Sequence, residues 1–368
     1  MTEDKSEEAN FTRMVVGSVA TTMVLLLILP MIFVAGKSTY YSAYTEGEGG
    51  EISSLAQVTD MRDTMATDEG YFIANTMSTP MLVNDWRDPH RTALMIIGPE
   101  KPIAETEAEA IYDFVTKNGG KVIVAADGTN ANRLAEKFGV TFFDSPLNDE
   151  NQFWMEYEDG QPTDGSWLNV WGLAAVSEDV NDMPPSYLRQ GCIDTDVLEE
   201  NRENCRLPVM FRSPTGMKFE PLPEDDPSQA SENQRQVKIL STASPSAFID
   251  VQGNGLADDQ RNPAPGDLSL IIRIDYPGIT TFDKVSAGSG GLVGGNTREL
   301  QVTGSIVFVS DEEAFSNRLW SLDVALENDM SSSCEQQANN CWLNTIRETY
   351  WQGNEQYFSL LIDDMMEH

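Results

Sequence analysis

The feature that most constrains this chain is an uncharged apolar segment of 22 residues, from Met14 to Ala35. A helix of that length rises about 33 Å at ~1.5 Å per residue, which is enough to cross a hydrocarbon core of about 30 Å. Pro30 does not exclude this, because membrane helices tolerate a proline. A cleaved signal peptide is the alternative, but its apolar region is usually about 7–15 residues long and follows a basic segment. Residues 1–13 contain four acids, so the sequence predicts one retained transmembrane helix.

The residues on either side of this segment predict its orientation. Lys5 and Arg13 precede it and Lys37 follows it, a small excess of positive charge that favours a cytoplasmic tail at residues 1–13. All four cysteines come later, in two local pairs without the spacing of a zinc site: Cys192 with Cys205, and Cys334 with Cys341. Two disulfides in an oxidising compartment are predicted, with free buried thiols as the alternative. The prediction is a single-pass cell-membrane protein with an extracellular main domain.

The charge balance limits the classes of partner. There are 24 lysines and arginines against 59 acids, which gives a net charge of −35. Nucleic acid is excluded as a partner, because phosphate binding needs a basic surface. Anionic lipid headgroups are disfavoured for the same reason, so contact with the bilayer is predicted through the helix alone.

Beyond a stalk at residues 36–50, the pattern predicts an α/β domain over residues 51–368. Short apolar runs typical of strands covered on both faces alternate with amphipathic helices. The predicted order is strand 93–97, helix 105–117, strand 121–126 and helix 130–138. Such alternation indicates a parallel sheet. Residues 144–236 are rich in Pro, Asp, Asn and Glu and predict an irregular insertion, after which strands are expected at 237–240, 268–274 and 305–309 and a helix at 354–365.

Few residues suit catalysis. The chain has two histidines, His90 and His368, and no motif of a serine or cysteine nucleophile, a zinc protease or a P-loop. The glycine-rich run at 287–296 lacks a lysine and a following helix, so it predicts a loop or hairpin tip rather than a phosphate cradle. Open α/β sheets bind ligands at the carboxyl ends of their strands, which makes Asp127, Thr129 and Asp311 the candidate ligand-edge residues.

One loop has the residue types of a calcium site. Asp250, Gln252 and Asn254 supply oxygen atoms at alternate positions before Gly255, as in the first half of a calcium loop. Asp258 and Asp259 are the candidates for further ligands. The twelfth position is Arg261 rather than a bidentate glutamate. A calcium site and a plain Asx/Gly turn therefore stay open as alternatives, and calcium is the only candidate cofactor.

Three tryptophans fall in the predicted insertion: Trp154, Trp167 and Trp171. If exposed, they would form a platform for a sugar or peptide, but core positions are the more usual place for tryptophan.

Four stretches of the chain, in this order, resemble a known family: IIGPEKPIAETEAEAIYDFVTKNGGKVIVAADGTNANRLAEKFGV, VKILSTASPSAFIDVQGNGLADD, GSIVFVSDEEAFSNRLW and NEQYFSLLID. The family is a domain of unknown function in membrane-anchored archaeal and bacterial proteins, similar in fold to the class I glutamine amidotransferases, a flavodoxin-like α/β sandwich. The resemblance covers about Glu51 to Asp364 and implies a part in an envelope assembly. Amidotransferase chemistry needs a cysteine after a strand, whereas Asp127-Gly128-Thr129 follows here, so the activity is not implied.

Taken together, the sequence predicts a three-layer α/β sandwich with a mostly parallel sheet, preceded by one transmembrane helix. The predicted function is a non-catalytic, membrane-anchored extracellular binding or scaffold protein with envelope protein partners. Two alternatives stay open: an extracellular hydrolase that uses carboxylates at the sheet edge, and a solute-binding receptor.

Overall fold

A computed structural model describes residues 58–73, 84, 88–150, 152–154, 157–158, 161–162, 167–176, 206–225, 234–257, 268–284, 297–320 and 354–367. All of these belong to one compact unit, formed by Thr39–Ala74 and Thr79–His368. A second unit, Met1–Ser38 with Asn75–Ser78, lies wholly outside the described residues.

The described residues form five α-helices and twelve strands. The helices are α1 (Thr59–Thr67), α2 (Glu105–Thr116), α3 (Asn132–Ala135), α4 (Asn317–Trp320) and α5 (Glu355–Glu367). The strands are β1 (Ala93–Ile97), β2 (Lys121–Ala125), β3 (Val140–Asn148), β4 (Tyr157–Glu158), β5 (Gln161–Pro162), β6 (Trp171–Ala175), β7 (Arg206–Met210), β8 (Thr215–Phe219), β9 (Gln236–Thr242), β10 (Phe248–Ile249), β11 (Ser269–Lys284) and β12 (Thr297–Val309). Single 3-10 turns lie at Pro89–Arg91, Thr129–Ala131, Glu136–Phe138, Pro223–Asp225 and Glu313–Phe315.

The main sheet has eight strands in the order β1-β2-β12-β11-β8-β3-β10, with β9 also paired to β11. The pairs β1–β2 and β2–β12 are parallel, and the other pairs in this sheet are antiparallel. The prediction of a mostly parallel sheet is therefore wrong. Parallel neighbours need a crossover of a dozen or more residues, usually with a helix. The described chain has that arrangement at β1–α2–β2, whereas β11 and β12 are consecutive strands that pair directly.

Buried apolar residues lie on both faces of the sheet. In β2, Val122 and Val124 point to one face and pack with α2 and α3, while Ile123 and Ala125 point to the other. On that second face the core includes residues of α1, α4 and α5 together with the β6–β7 pair. The alternation explains why β2 reads as a continuous apolar run, because both faces of the strand are covered.

The ends of α2 show how the sequence fixes this helix. At its start, the Glu107 carboxylate accepts the backbone N–H of Ala104 at 3.0 Å, which satisfies a donor left free at a helix terminus. At its end, Gly119 has a φ of +73°, a conformation that suits glycine. The inner side carries Ile111, Phe114 and Val115, all fully buried.

The region predicted as an irregular insertion contributes to the main sheet. Strand β3 crosses its predicted start at residue 144, and β8 pairs with β3 and β11. Strands β6 and β7 form a separate antiparallel pair from Trp171↔Met210 to Ala175↔Arg206.

The structure does not support the predicted membrane anchor or the predicted disulfides. No helix among the described residues is both long and apolar enough to cross a membrane, so the prediction of a single-pass membrane protein with an extracellular domain is not supported. The segment from Met14 to Ala35 itself lies outside the described residues. So do the predicted pairs Cys192/Cys205 and Cys334/Cys341, and the part of the chain that is described contains no disulfide.

Candidate functional site

The candidate site lies at the carboxyl ends of the three parallel strands, where open α/β sheets bind ligands. In the register of β2 and β12, Ala125 pairs with Val309, and each strand is followed two residues later by an aspartate. The Ala126 N–H donates to the Val309 carbonyl at 3.1 Å, so the pairing extends one residue past the end of β2. We call the acids that follow these strands the acidic edge: Glu100, Asp127, Asp311, Glu312 and Glu313.

Asp311 anchors the turn that leaves β12. Its side chain is buried, and its two oxygens accept the backbone N–H groups of Arg212 at 2.6 Å and Glu313 at 2.8 Å. Burial raises the pKa of this carboxyl well above its ordinary value, and the neighbouring Glu313 raises it further. Both acceptor atoms are thus used within the protein, which gives Asp311 a positioning role rather than a free carboxylate.

Glu312 and Asp127 are two further acids of this edge with raised pKa values. Burial raises the pKa of Glu312 to about 8, and repulsion from Asp127, Glu313 and Glu100 contributes in the same direction. The pKa of Asp127 is also raised, by burial and by Glu313, although its side chain keeps contact with solvent. Burial and, secondly, repulsion between these acids thus disfavour their charged forms, and a nearby positive charge would favour them.

Arg212 supplies positive charge to this edge. Its Nη1 lies 3.3 Å from Oε2 of Glu313, and its side chain is 38% exposed against 14% for Glu313. An ion pair with this much solvent contact is weakly stabilising. Arg212 is thus the ion-pair partner of Glu313, whereas the pKa values of Glu312 and Asp127 remain raised.

Thr129, the third predicted ligand-edge residue, lies elsewhere. It begins the 3-10 turn Thr129–Ala131 and lines an open cavity of about 500 Å³ beside the start of α2. Asp127 and Asp311 do not line that cavity. The structure thus brings two of the three predicted residues to one edge and places the third in a neighbouring depression.

Sequence reasoning missed Glu312 and Arg212. Glu312 stands in the run SDEEAF directly after β12, so its position after a buried strand was a usable signal. Arg212 reaches the edge from the bend between β7 and β8, a region predicted to be irregular. Its sequence offered no comparable signal.

The described half of the predicted calcium loop is an Asx-type turn. Asp250 is buried, and its carboxylate accepts the N–H groups of Asn254 at 3.1 Å and Gly255 at 2.7 Å. The Asn254 side chain contacts Gln252 at 3.4 Å, while Asp258 and Asp259 lie outside the described residues. Among the residues that are described, no three acidic, histidine or cysteine side chains group as metal ligands. Calcium binding stays a prediction.

The three tryptophans do not share one environment. Trp154 and Trp171 are 2% and 1% exposed, and the Trp154 indole N–H donates to the Phe211 carbonyl at 3.0 Å. Trp167 is 37% exposed. Two of the three are thus core residues, which does not favour an exposed aromatic platform.

His90 lies far from the acidic edge along the strands. It is the buried residue of the 3-10 turn Pro89–Arg91, next to the amino end of β2, where the Lys121 N–H donates to the Thr92 carbonyl at 3.1 Å. The acidic edge is at the carboxyl end of the same strand. His368 lies outside the described residues.

A second group of polar and charged side chains, buried or partly buried, lies near the amino end of β2, where β2 pairs with Ser305 of β12: Lys121, Lys238, Arg273, Asp275, Ser305 and Asp364. Asp275 accepts three hydrogen bonds from this group at 2.6–2.9 Å. Burial alone would raise its pKa, but Arg273 and Lys238 hold it at about 2. Arg273 also pairs with Asp364 and so ties α5 to the sheet. Apart from Lys121, the charged side chains of this group are paired with one another, which indicates a structural role.

Comparisons with known proteins add little to this picture. No protein-family model matches the chain, and no curated protein is significantly similar to it. Among solved structures, the mmIFT52 N-terminal domain is similar at 10% sequence identity, with a TM-score of 0.39, over 83% of this chain and 95% of that chain. A likeness of this size does not establish a common fold or role. The resemblance to the amidotransferase-like family stays a prediction, because none of these comparisons tests it.

Proposed function

We propose that this protein is a non-catalytic binding module that assembles with other proteins, and that its acidic edge receives a cationic group of a partner. The observation that carries the proposal is that the pairing of parallel strands brings Asp127, Glu312 and Glu313 to one edge of the sheet. Burial there raises the pKa of Glu312 to about 8, and repulsion from the neighbouring acids contributes in the same direction. A lysine or arginine side chain placed between these carboxylates would remove that penalty. The binding energy would therefore come from charges already fixed at the edge of a rigid sheet.

The residues around this edge favour binding over catalysis. Nucleophilic catalysis needs a base held within hydrogen-bond reach of a nucleophile. In the described part of the chain, His90 lies at the opposite end of the strands and no cysteine is present. Both carboxylate oxygens of Asp311 accept backbone N–H groups, so Asp311 is already engaged in hydrogen bonds within the protein.

The proposal is tested by binding of a short peptide of alternating lysine and arginine to the purified full chain. Binding is measured at pH 9, above the pKa of Glu312, where the edge variant Asp127→Asn/Glu312→Gln removes two negative charges from the edge. The control Glu109→Gln/Glu299→Gln removes two from exposed positions on α2 and β12. We expect the edge variant to lose about tenfold in affinity, equal to ~1.4 kcal/mol, with the control unchanged within about twofold. Equal losses in both variants would show that only the net charge matters and would contradict the proposal.

A carboxylate-dependent hydrolase is the second candidate, because one observation favours it. The pKa of Glu312 at about 8 makes this group a proton donor near neutral pH, beside a second carboxyl at Asp127. A panel of nitrophenyl esters and glycosides tests this function. Turnover that falls about 100-fold or more in Glu312→Gln would replace the binding module with the enzyme.

A further inference from the structure

The cavity that holds Thr129 is a depression between two loops that leave adjacent parallel strands. The loop after β1 supplies Pro102, and the segment after β2 supplies Thr129, Asn130 and Asn132. Its volume of about 500 Å³ falls within the range of small-molecule sites, ~300–1,000 Å³. Apart from Pro102, the lining side chains are polar or charged, so a polar ligand suits it better than an apolar one.

Two asparagines make the cavity wall rigid. The Asn130 side chain donates to the Pro99 carbonyl at 2.8 Å, and its backbone carbonyl accepts the Ile103 N–H at 3.0 Å. The Asn132 amide both donates to and accepts from the backbone of Phe142, at 2.9 and 2.7 Å. The two loops are therefore held together before any ligand arrives, which lowers the ordering cost of binding.

Four charged side chains line the cavity, the acids Glu105 and Glu136 and the cations Arg133 and Lys137. The Glu105 carboxylate lies 2.6 Å from Nζ of Lys137 and 3.9 Å from Nε of Arg133. Glu105 and Arg133 are more than half exposed, and Lys137 is 24% exposed. Exposed pairs of this kind are weakly stabilising, so the carboxylate can leave the two cations at little cost.

We propose that this cavity binds a small polar ligand through an anionic group, a carboxylate or a phosphate, which takes the place of the Glu105 carboxylate on Lys137 and Arg133. A phosphate carries more charge than the carboxylate it displaces and can accept hydrogen bonds from both cations. The rest of the ligand would lie against Thr129 and the fixed wall of Asn130. This site is separate from the acidic edge, and it does not depend on the function proposed for that edge.

The net charge of −35 makes the test selective, because such a chain repels anions in general. Binding of inorganic phosphate, acetate and glycerol 3-phosphate to the full chain is measured by isothermal titration calorimetry at constant ionic strength. Glu105→Gln removes the internal competitor and should tighten phosphate binding by about threefold, the scale of one exposed pair. Lys137→Gln should weaken it by a similar factor or more.

Glu109→Gln is the matched control, because it changes the net charge equally at an exposed position of α2 that does not line the cavity. It should leave phosphate affinity unchanged. Tighter binding of glycerol 3-phosphate than of inorganic phosphate would identify an organic phosphate as the ligand class, whereas the reverse would indicate the free ion. Equal effects of Glu105→Gln and Glu109→Gln would indicate an adventitious ion only and would overturn the proposal. No binding to either wild type or Glu105→Gln would overturn it as well, because the cavity would then hold no anion site.

Discussion

Replacement of Glu312 by glutamine tests the electrostatics of the acidic edge directly. Glutamine keeps the shape of the protonated side chain and removes the charge that burial and three neighbouring acids oppose. We expect Glu312→Gln to be more stable than wild type at pH 8.5, although it deletes a charged group from a surface loop.

The magnitude follows from the pKa of Glu312. A rise from the ordinary value of 4.5 to about 8 corresponds to at most ~5 kcal/mol between the two protonation states. The side chain keeps partial contact with solvent, which screens these interactions and lowers the expected gain to about 1–2 kcal/mol. Because the pKa is higher in the folded state, the contribution of Glu312 to stability is present in full below pH 4.5. It is lost as the pH rises towards 8.

Urea denaturation of the purified wild type, Glu312→Gln and the control Glu109→Gln at pH 4.5 and pH 8.5 checks this prediction. The midpoint of Glu312→Gln should exceed that of wild type at pH 8.5 and coincide with it at pH 4.5, without a change in slope. Glu109 is exposed on α2, so its variant should follow wild type at both values. A gain that is the same at both pH values, or no gain at pH 8.5, would show that burial and the neighbouring acids do not disfavour the charged form of Glu312.

Three further predictions concern the fold and the calcium loop. Gly304→Ala should lower the free energy of unfolding, measured by urea denaturation, by about 2–3 kcal/mol, because the added Cβ would clash with the Val115 carbonyl oxygen. Gly128→Ala is the control and should leave the free energy of unfolding nearly unchanged, because a Cβ there meets nothing within 4 Å. Arg273→Met should lower the free energy of unfolding by about 3–5 kcal/mol, because it leaves two carboxylates without their buried partner. If calcium binds the loop that begins at Asp250, millimolar calcium should raise the melting temperature and a chelator should reverse the rise; no shift would refute the site.

The elements that sequence patterns located best are those whose residues are covered on both faces. The predicted bounds of β1 and β2 match the structure almost to the residue. Ile96 and Ile97 of β1 are buried on opposite faces of the sheet, and every residue of β2 is buried. Helix α2 was predicted as well, from its apolar stripe and the glycines that follow it. In these segments local pattern and tertiary burial agree.

The pairing of strands was not predictable in the same way. Strands β7 and β8, RLPVM and TGMKF, carry a proline and a glycine and lack a clear apolar alternation. Only the apolar part of β11 was predicted, because the polar run from Thr280 to Lys284 is a strand through its pairing with β12. The glycine-rich run at 287–296, predicted as a loop or hairpin tip, joins these two antiparallel strands. A hairpin tip joins antiparallel strands, so this run already indicates that the parallel α/β alternation does not extend over the whole domain.

The acidic edge shows how far position alone can carry a functional inference. Asp127 and Asp311 each stand two residues after a buried strand, so their meeting at one edge followed from the parallel pairing of β2 and β12. Their different roles did not follow, because those depend on which backbone N–H groups reach them. Two such donors bind the oxygens of buried Asp311, whereas the pKa of Glu312, the next residue, is raised by burial and by repulsion from Asp127, Glu313 and Glu100. With 59 acids in the chain, composition cannot single out Glu312; only the fold, by crowding it with other carboxyls, makes it the residue on which binding at this edge should depend.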